Sequence, residues 1–203
     1  MTVQEYNVRI WPFYLRLEEE FLNSLNYVEF SKDNFKTYSI EYEKQILSIG
    51  SEVDILCKLL CKEVAPDSSP NQIQEYREIL YDYYENIGIE QVTCLIDGRT
   101  YSPIKSWTKK NSPIWWKAYN KVKHARMEKQ NYKRGNLGNV FYALASLYVF
   151  NRYYCKAISM ERGLKEPTLK SQLFSMVGWE VRIPVGNGFM ASLRPNGNIG
   201  LRL

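Results

Sequence analysis

The chain has 203 residues, 45% of them apolar, 14% aromatic and 24% charged, and a formal charge of +5. This balance excludes global disorder and provides for one sizeable core, and the length requires no second independent unit. The mild positive excess draws nucleic acid or another anionic surface only where the cations share a face.

Met1 to Ile10 carries no basic-then-apolar leader pattern, and no apolar run approaches the roughly 18 to 20 residues needed to cross a bilayer. The expectation is a cytoplasmic protein, neither exported nor inserted in a membrane. From Pro12 to about Tyr27, the residues Phe13, Leu17, Phe21, Leu22 and Leu25 recur at helical spacing around the acidic triplet Glu18 to Glu20, which predicts an amphipathic helix. Ser31 and Asp33 offer cap chemistry before a second helix, whose stripe of Ile40, Ile46, Leu47, Ile49, Val53, Leu56 and Leu60 ends near Glu63. Gly50 interrupts that stripe. Glycine costs a helix about 1 kcal/mol relative to alanine, so a close helix approach or a local bend is expected there. Two acids, Glu52 and Asp54, fall in its most apolar part. Cys57 and Cys61, one turn apart beside leucines, read as buried apolar residues; with Cys94 and Cys155 they make neither a zinc spacing nor a disulfide framework, which fits a reducing compartment.

Pro66 to Pro70 reads as a loop, with Ser69 as cap and Pro70 opening a third helix that runs to about Tyr84. Segments 91–96 and 99–104 flank Asp97-Gly98, a pair suited to a two-residue hairpin turn in which both residues take positive φ. Ser112-Pro113 repeats the cap-plus-proline signal and opens the helix that carries His124. Asn131 to Gly135 breaks that helix, and Asn136 caps a long apolar one through Leu137, Val140, Phe141, Leu144, Leu147, Tyr148 and Tyr154; the two are expected to form a helical hairpin. After a polar connection around Arg162 to Lys170, the segments 179–185, 189–194 and 199–203 are separated by Asn187-Gly188 and Pro195-Asn196-Gly197, the signature of a three-stranded meander. The expected architecture is a mainly α protein, one domain over 1–203. It comprises a helical bundle over 11–160, a small hairpin insertion near 91–104 and a C-terminal three-stranded antiparallel β-meander over 178–203.

His124 is the only histidine, and imidazole is the side chain whose ordinary titration lies nearest neutral pH. It stands in the run Trp115-Trp116-Lys117-Ala118-Tyr119-Asn120-Lys121-Val122-Lys123-His124-Ala125-Arg126. Ten lysines and arginines fall between Lys105 and Arg134, where Glu128 is the one carboxylate. At helical spacing Lys117, Asn120, Lys121, His124 and Glu128 share a polar face, and Trp115, Ala118, Tyr119, Val122 and Ala125 form the buried one. The plain reading is a solvated charged face that happens to hold the histidine. Trp116 offers a base-stacking surface, with core packing as its alternative. A single histidine excludes a histidine-rich metal site within one chain, no nucleophile elbow occurs, and Gly186-Asn187-Gly188 reads as a strand turn rather than a phosphate loop. No metal and no cofactor are called for.

The Asn120-x-x-x-His124 segment, opening the penultimate helix before a long apolar one, resembles the HEPN superfamily (higher eukaryotes and prokaryotes nucleotide-binding domains). The run Tyr119 to His124 is also similar to a group of bacterial proteins that carry tryptophans and an Asn-x-Val-Lys-His-x-Arg string. The likeness covers roughly Phe35 to Tyr154 and implies a HEPN-like helical bundle and a homodimer. The function it implies is a metal-independent ribonuclease or RNA-binding factor of bacterial defence or toxin–antitoxin systems. In such a site a 2′-hydroxyl attacks the adjacent phosphate while His124 exchanges the proton, Asn120 orients the phosphate, and Lys117 or Arg126 stabilises the developing charge. Lys121, Lys123 and Trp116 then belong to the nucleic-acid surface, and Glu52 and Asp54 approach from the second helix. The family's arginine, expected a few positions before the histidine, is replaced by Lys117, Ala118 or Tyr119. A catalytically silent adaptor that contacts a protein partner, or a structural subunit of a larger assembly, is the alternative that this departure supports.

Overall fold

The computed structural model describes residues 1–159, 169–179, 181–184, 190–193 and 199–201. It is mainly helical. A short α1 (Val3–Glu5) continues through a wide π-helical turn (Tyr6–Ile10) into α2 (Trp11–Ser24), followed by α3 (Ile40–Val64), α4 (Ile73–Tyr83), α5 (Ile114–Ala125) and α6 (Leu137–Ile158). The core is organised around α6, where almost every residue from Leu137 to Cys155 is buried, as expected of a helix that is apolar all round. The α3 helix lies along α6 and contributes Ile46, Ile49, Val53, Leu56 and Leu60, each fully buried and each stabilising the fold by about 1.5–3 kcal/mol through removal from water.

Gly50 is explained by a close approach rather than a bend. A Cβ there would lie 2.4 Å from the ring of Tyr119, so α5 rests its tyrosine directly on the α3 backbone. Further along α3, Cys57 and Cys61 are buried as read from sequence, and burial pushes both thiols up, Cys61 to about 12, which keeps them protonated.

Several helix starts differ from the expectation. The chemistry of Ser31 and Asp33 goes into a 3-10 turn (Lys32–Lys36), and it is Ser39 that caps α3 by accepting the Tyr42 N–H at 3.1 Å. Helix α4 opens at Ile73 and not at Pro70, because the Glu75 carboxylate accepts the N–H groups of Asn71 and Gln72 at 2.8 and 3.2 Å. In α2 the buried face is Trp11, Tyr14, Leu17, Glu18 and Phe21, while Phe13 is exposed; the upstream turn and the aromatic pair Trp11–Tyr14, with ring centroids 4.8 Å apart, set the phase. Asn136 caps α6 as expected, accepting the Asn139 N–H at 2.9 Å.

Two small antiparallel sheets accompany the helices. In the first, β1 (Val92–Cys94) pairs with β2 (Thr100–Tyr101) and, on its other edge, with β3 (Phe174–Met176), in the order β2-β1-β3. The hairpin falls where Asp97-Gly98 placed it, but its loop has four residues, Leu95 to Gly98, because Cys94 N–H bonds the Arg99 carbonyl at 2.9 Å. Only Gly98 takes a positive φ, +67°, while Asp97 accepts from Arg99 N–H and Tyr101 Oη–H. Strand β3 has no counterpart in the sequence reading. It is anchored by Glu18, a carboxylate only 2% exposed, which accepts from Tyr14 Oη–H at 2.7 Å, from Ser171 Oγ–H, and from the N–H groups of Gln172 and Leu173 at 2.9 and 3.1 Å. The second sheet is the expected meander, β4 (Val181–Pro184), β5 (Met190–Leu193) and β6 (Ile199–Leu201), in chain order. The turns at Asn187-Gly188 and at Pro195 to Gly197, and the connection 162–168, lie outside the described residues. Among the described residues no helix is long and apolar enough to cross a membrane.

Candidate nucleic-acid interface

Packing decides which way α5 faces. Trp115, Trp116, Ala118, Tyr119 and Val122 are buried, Trp115 Nε1–H donates to the Pro103 carbonyl at 3.2 Å, and Tyr119 sits on Gly50. That side being fixed, Lys117, Lys121 and His124 point outward as exposed residues with Asn120 half-buried between them. All four lie within one continuous helix at i, i+3, i+4 and i+7, so they share a face.

The other candidates are placed differently. Helix α5 ends at Ala125, and Glu128 belongs to the following 3-10 segment (Glu128–Arg134), so it does not continue the histidine face. Lys129 and Gln130 there take φ of 46° and 58° and turn the chain back. Asn131 then donates to the Ala125 carbonyl at 2.9 Å and Tyr132 N–H to that of Arg126 at 3.0 Å, which satisfies the free end of α5. Arg126 is the residue after the helix; it stands two positions past His124 and pairs with Glu43 of α3 at 3.8 Å. Lys123 lies a quarter-turn from His124, its Nζ 3.1 Å from Tyr119 Oη and over the ring. Lys117 donates to Asn111 Oδ1 at 2.9 Å. Trp116 is 7% exposed, with its ring packed against Trp115 and Tyr119, so it is a core residue and offers no open stacking platform.

The two acids of α3 do not converge on the imidazole. Asp54 accepts from Tyr76 Oη–H at 2.8 Å and pairs with Lys58 at 2.6 Å, which ties it to α4 and to its own helix. Glu52 is two residues from Gly50, about 200° round the helix and hence on the side of α3 away from α5. Half-buried, it has its carboxyl raised above the usual carboxylate range by desolvation. A raised folded-state value means that the fold favours the protonated form and is penalised once the group ionises. Glu52→Gln is therefore expected to raise the melting temperature at pH 7, with the gain disappearing as the pH falls below about 4, near the ordinary glutamate value; an equal gain at both pH values would exclude the desolvation account.

The charge pattern is more telling than any pair. All ten cations from Lys105 to Arg134 are exposed, and among the described residues Arg126 is the one of them that meets a carboxylate. Lys133 lies over the Tyr38 ring and Arg134 donates to Asn131, contacts that leave their charge uncompensated. Beside the first turn of α5 opens a groove of about 490 Å³ that includes Phe35, Lys36, Lys105, Ser106, Asn139 and Tyr142. The sequence reading missed it because its walls come from the 3-10 turn, the loop after β2 and the starts of two helices. Among the described residues, no three His, Cys, Asp or Glu side chains gather as a metal-ion site would require. Neither a protein-family model, nor a curated protein, nor a solved structure matches this chain.

Proposed function

We propose that the α5 face and the 3-10 segment after it bind the phosphodiester backbone of RNA, in a HEPN-like protein of bacterial defence or toxin–antitoxin biology. The observation that carries this reading is the exposed group of ten cations between Lys105 and Arg134, of which Arg126 alone meets a carboxylate among the described residues, an excess of positive charge that favours an external polyanion. His124 is exposed within it and shares a face with Lys117 and Asn120, the arrangement that proton exchange at a bound ribose phosphate requires. In the cleavage step the 2′-oxygen bonds to phosphorus as its proton leaves, and the bond to the 5′-oxygen breaks as that oxygen gains a proton. One imidazole serves one of these transfers, and a second copy of the chain supplies the other in the homodimer that the resemblance implies. Lys117 provides the positive charge as a point charge, without the two-pronged geometry of guanidinium.

One observation favours a second reading. The family arginine position nearest the histidine holds Tyr119, whose ring is committed to Gly50, so a protein that binds RNA without cutting it fits the same surface. Anisotropy titrations of a single-stranded RNA should show affinity falling with salt, at a log–log slope of about −0.7 per neutralised phosphate, and Lys117→Glu with Lys121→Glu should flatten the slope. A slope near zero, or no binding at low salt, removes the RNA assignment. Incubation in EDTA separates the two readings: cleavage that His124→Ala abolishes at unchanged melting temperature supports the nuclease, and bound but intact RNA supports the silent binder.

A further inference from the structure

Three grooves of the molecule differ in charge. The one of about 640 Å³ between α2 and α3 has Glu20, Glu41 and Lys44 in its lining, and the one of about 550 Å³ has Arg16 and Lys170 with Glu18 and Glu19, so both mix the two signs of charge. The 490 Å³ groove next to α5 has Lys36 and Lys105 as its charged lining and no carboxylate. Among the described residues neither lysine meets a carboxylate; both are exposed, and Lys105 is the first of the ten cations that run to Arg134. 

The rest of the lining has unused bonding capacity around an apolar wall. Half-buried Tyr142 is fixed by edge contacts with Phe35, Tyr101 and Phe141 at interplanar angles of 90°, 77° and 77°, and its hydroxyl has no hydrogen-bond partner among the described residues. Ser106 Oγ accepts the Ile114 N–H at 3.3 Å and keeps its own proton to donate. Asn139 commits its Nδ2 to the Arg134 carbonyl at 3.0 Å and keeps Oδ1 as an acceptor. Donors, an acceptor, an aromatic wall and two ammonium groups in one concave site match a group with flat apolar faces, a hydrogen-bonding edge and an attached anion.

We propose that this groove seats one nucleotide of a bound single-stranded RNA, its base against Tyr142 and Phe35 and its phosphate between Lys36 and Lys105. The inference rests on the RNA reading above and adds where a base is held. Ile114 and Trp115, which border the groove, begin the helix that carries His124. Ten residues of helix separate Ile114 from His124, about 15 Å along the axis, a span that a few nucleotides bridge.

The test uses the full chain, calorimetric titration with the four ribonucleoside 5′-monophosphates, and anisotropy with a single-stranded RNA. The expected result is saturable binding of at least one monophosphate, weakened about tenfold by Lys36→Ala with Lys105→Ala and about threefold by Tyr142→Phe, with a parallel loss of RNA affinity. Circular dichroism melts that match the wild type show that the variants are folded; Tyr142→Phe keeps the ring and its edge contacts. RNA bound equally by wild type and groove variants, with no monophosphate binding, overturns the inference and leaves the basic face standing. Monophosphate binding without RNA binding makes the groove a free-nucleotide site and overturns both. Competition by an unrelated peptide but not by any nucleotide would make it a protein-docking groove and overturn the inference as well.

Discussion

Glu18→Ala is expected to destabilise the chain by about 3 kcal/mol, and Glu18→Gln by roughly half as much. The carboxylate is buried and accepts from two hydroxyls and two backbone N–H groups on residues 171–173. Without it the hydroxyls of Tyr14 and Ser171, already 3.0 Å apart, still satisfy each other, and Leu173 N–H retains a longer contact with Ser171 Oγ at 3.3 Å. Gln172 N–H has no such substitute, and the methylenes of Glu18 leave a void beside Tyr14. Glutamine keeps one oxygen for three of the donors but turns an amide toward Gln172. Urea denaturation gives the two losses, and amide hydrogen exchange at Gln172 and Leu173 should accelerate in proportion. Equal losses for alanine and glutamine, or a loss under about 0.5 kcal/mol, would show that the hydrogen-bond accounting is wrong.

Gly135→Ala and Gly50→Ala should both destabilise, for reasons that a second substitution separates. At Gly50 the alanine gains about 1 kcal/mol of helix propensity, but its Cβ would stand 2.4 Å from Tyr119 Cδ2 and 2.6 Å from Cγ. Because Cγ is the base of the ring, a small tilt does not relieve the overlap; the tyrosine must leave its place, and the net loss is about 2 kcal/mol. Adding Tyr119→Leu should return much of it. At Gly135 a Cβ would meet not only the side chain of Glu43 but its Cα at 2.7 Å and its backbone nitrogen at 2.8 Å. Backbone in the middle of the first turns of α3 has nowhere to go, so the loss is about 3 kcal/mol or more and Glu43→Ala does not rescue it. A double-mutant cycle on each pair reads the difference directly; rescue at Gly135 and none at Gly50 would reverse the assignment.

The sequence is most legible where one physical signal dominates. The apolar stripe of α3 from Ile46 onward, that of α6, the asparagine cap of α6 and the outward face of α5 as far as His124 follow from spacing and are found as read, whereas Ile40, read into the α3 stripe, is 73% exposed and Glu128 falls beyond α5. Gly50 was legible as a close approach or a bend, because an unfavourable residue in a long apolar helix needs a compensating reason. The misreadings arise where a side chain satisfies a backbone group some residues away from the expected cap. Glu75 starts α4 from inside, and Asp97 and Gly98 share the turn with Leu95 and Ile96. Glu18 was the least legible: an acid in an acidic triplet reads as solvent-facing, and only its partners more than 150 positions along the chain make burial tolerable. Of the candidate site, the cationic face and the exposure of His124 follow from the pattern. The commitment of Asp54 to Tyr76, the burial of Trp116 and the groove at Tyr142 depend on contacts between distant segments, which no spacing encodes.

The position of β1 between β2 and β3 governs the order in which the chain can finish folding. As the polypeptide leaves the ribosome, β2 reaches its neighbour within a few residues, whereas the segment from Phe174 to Met176 emerges only after the whole of α5 and α6. Until then the far edge of Val92 to Cys94 presents unpaired N–H and C=O groups, a template for another nascent strand. A chain that stalls or is truncated between Ile158 and Phe174 therefore carries a nearly complete set of helices with one adhesive border, and aggregation during synthesis should concentrate in that translational window.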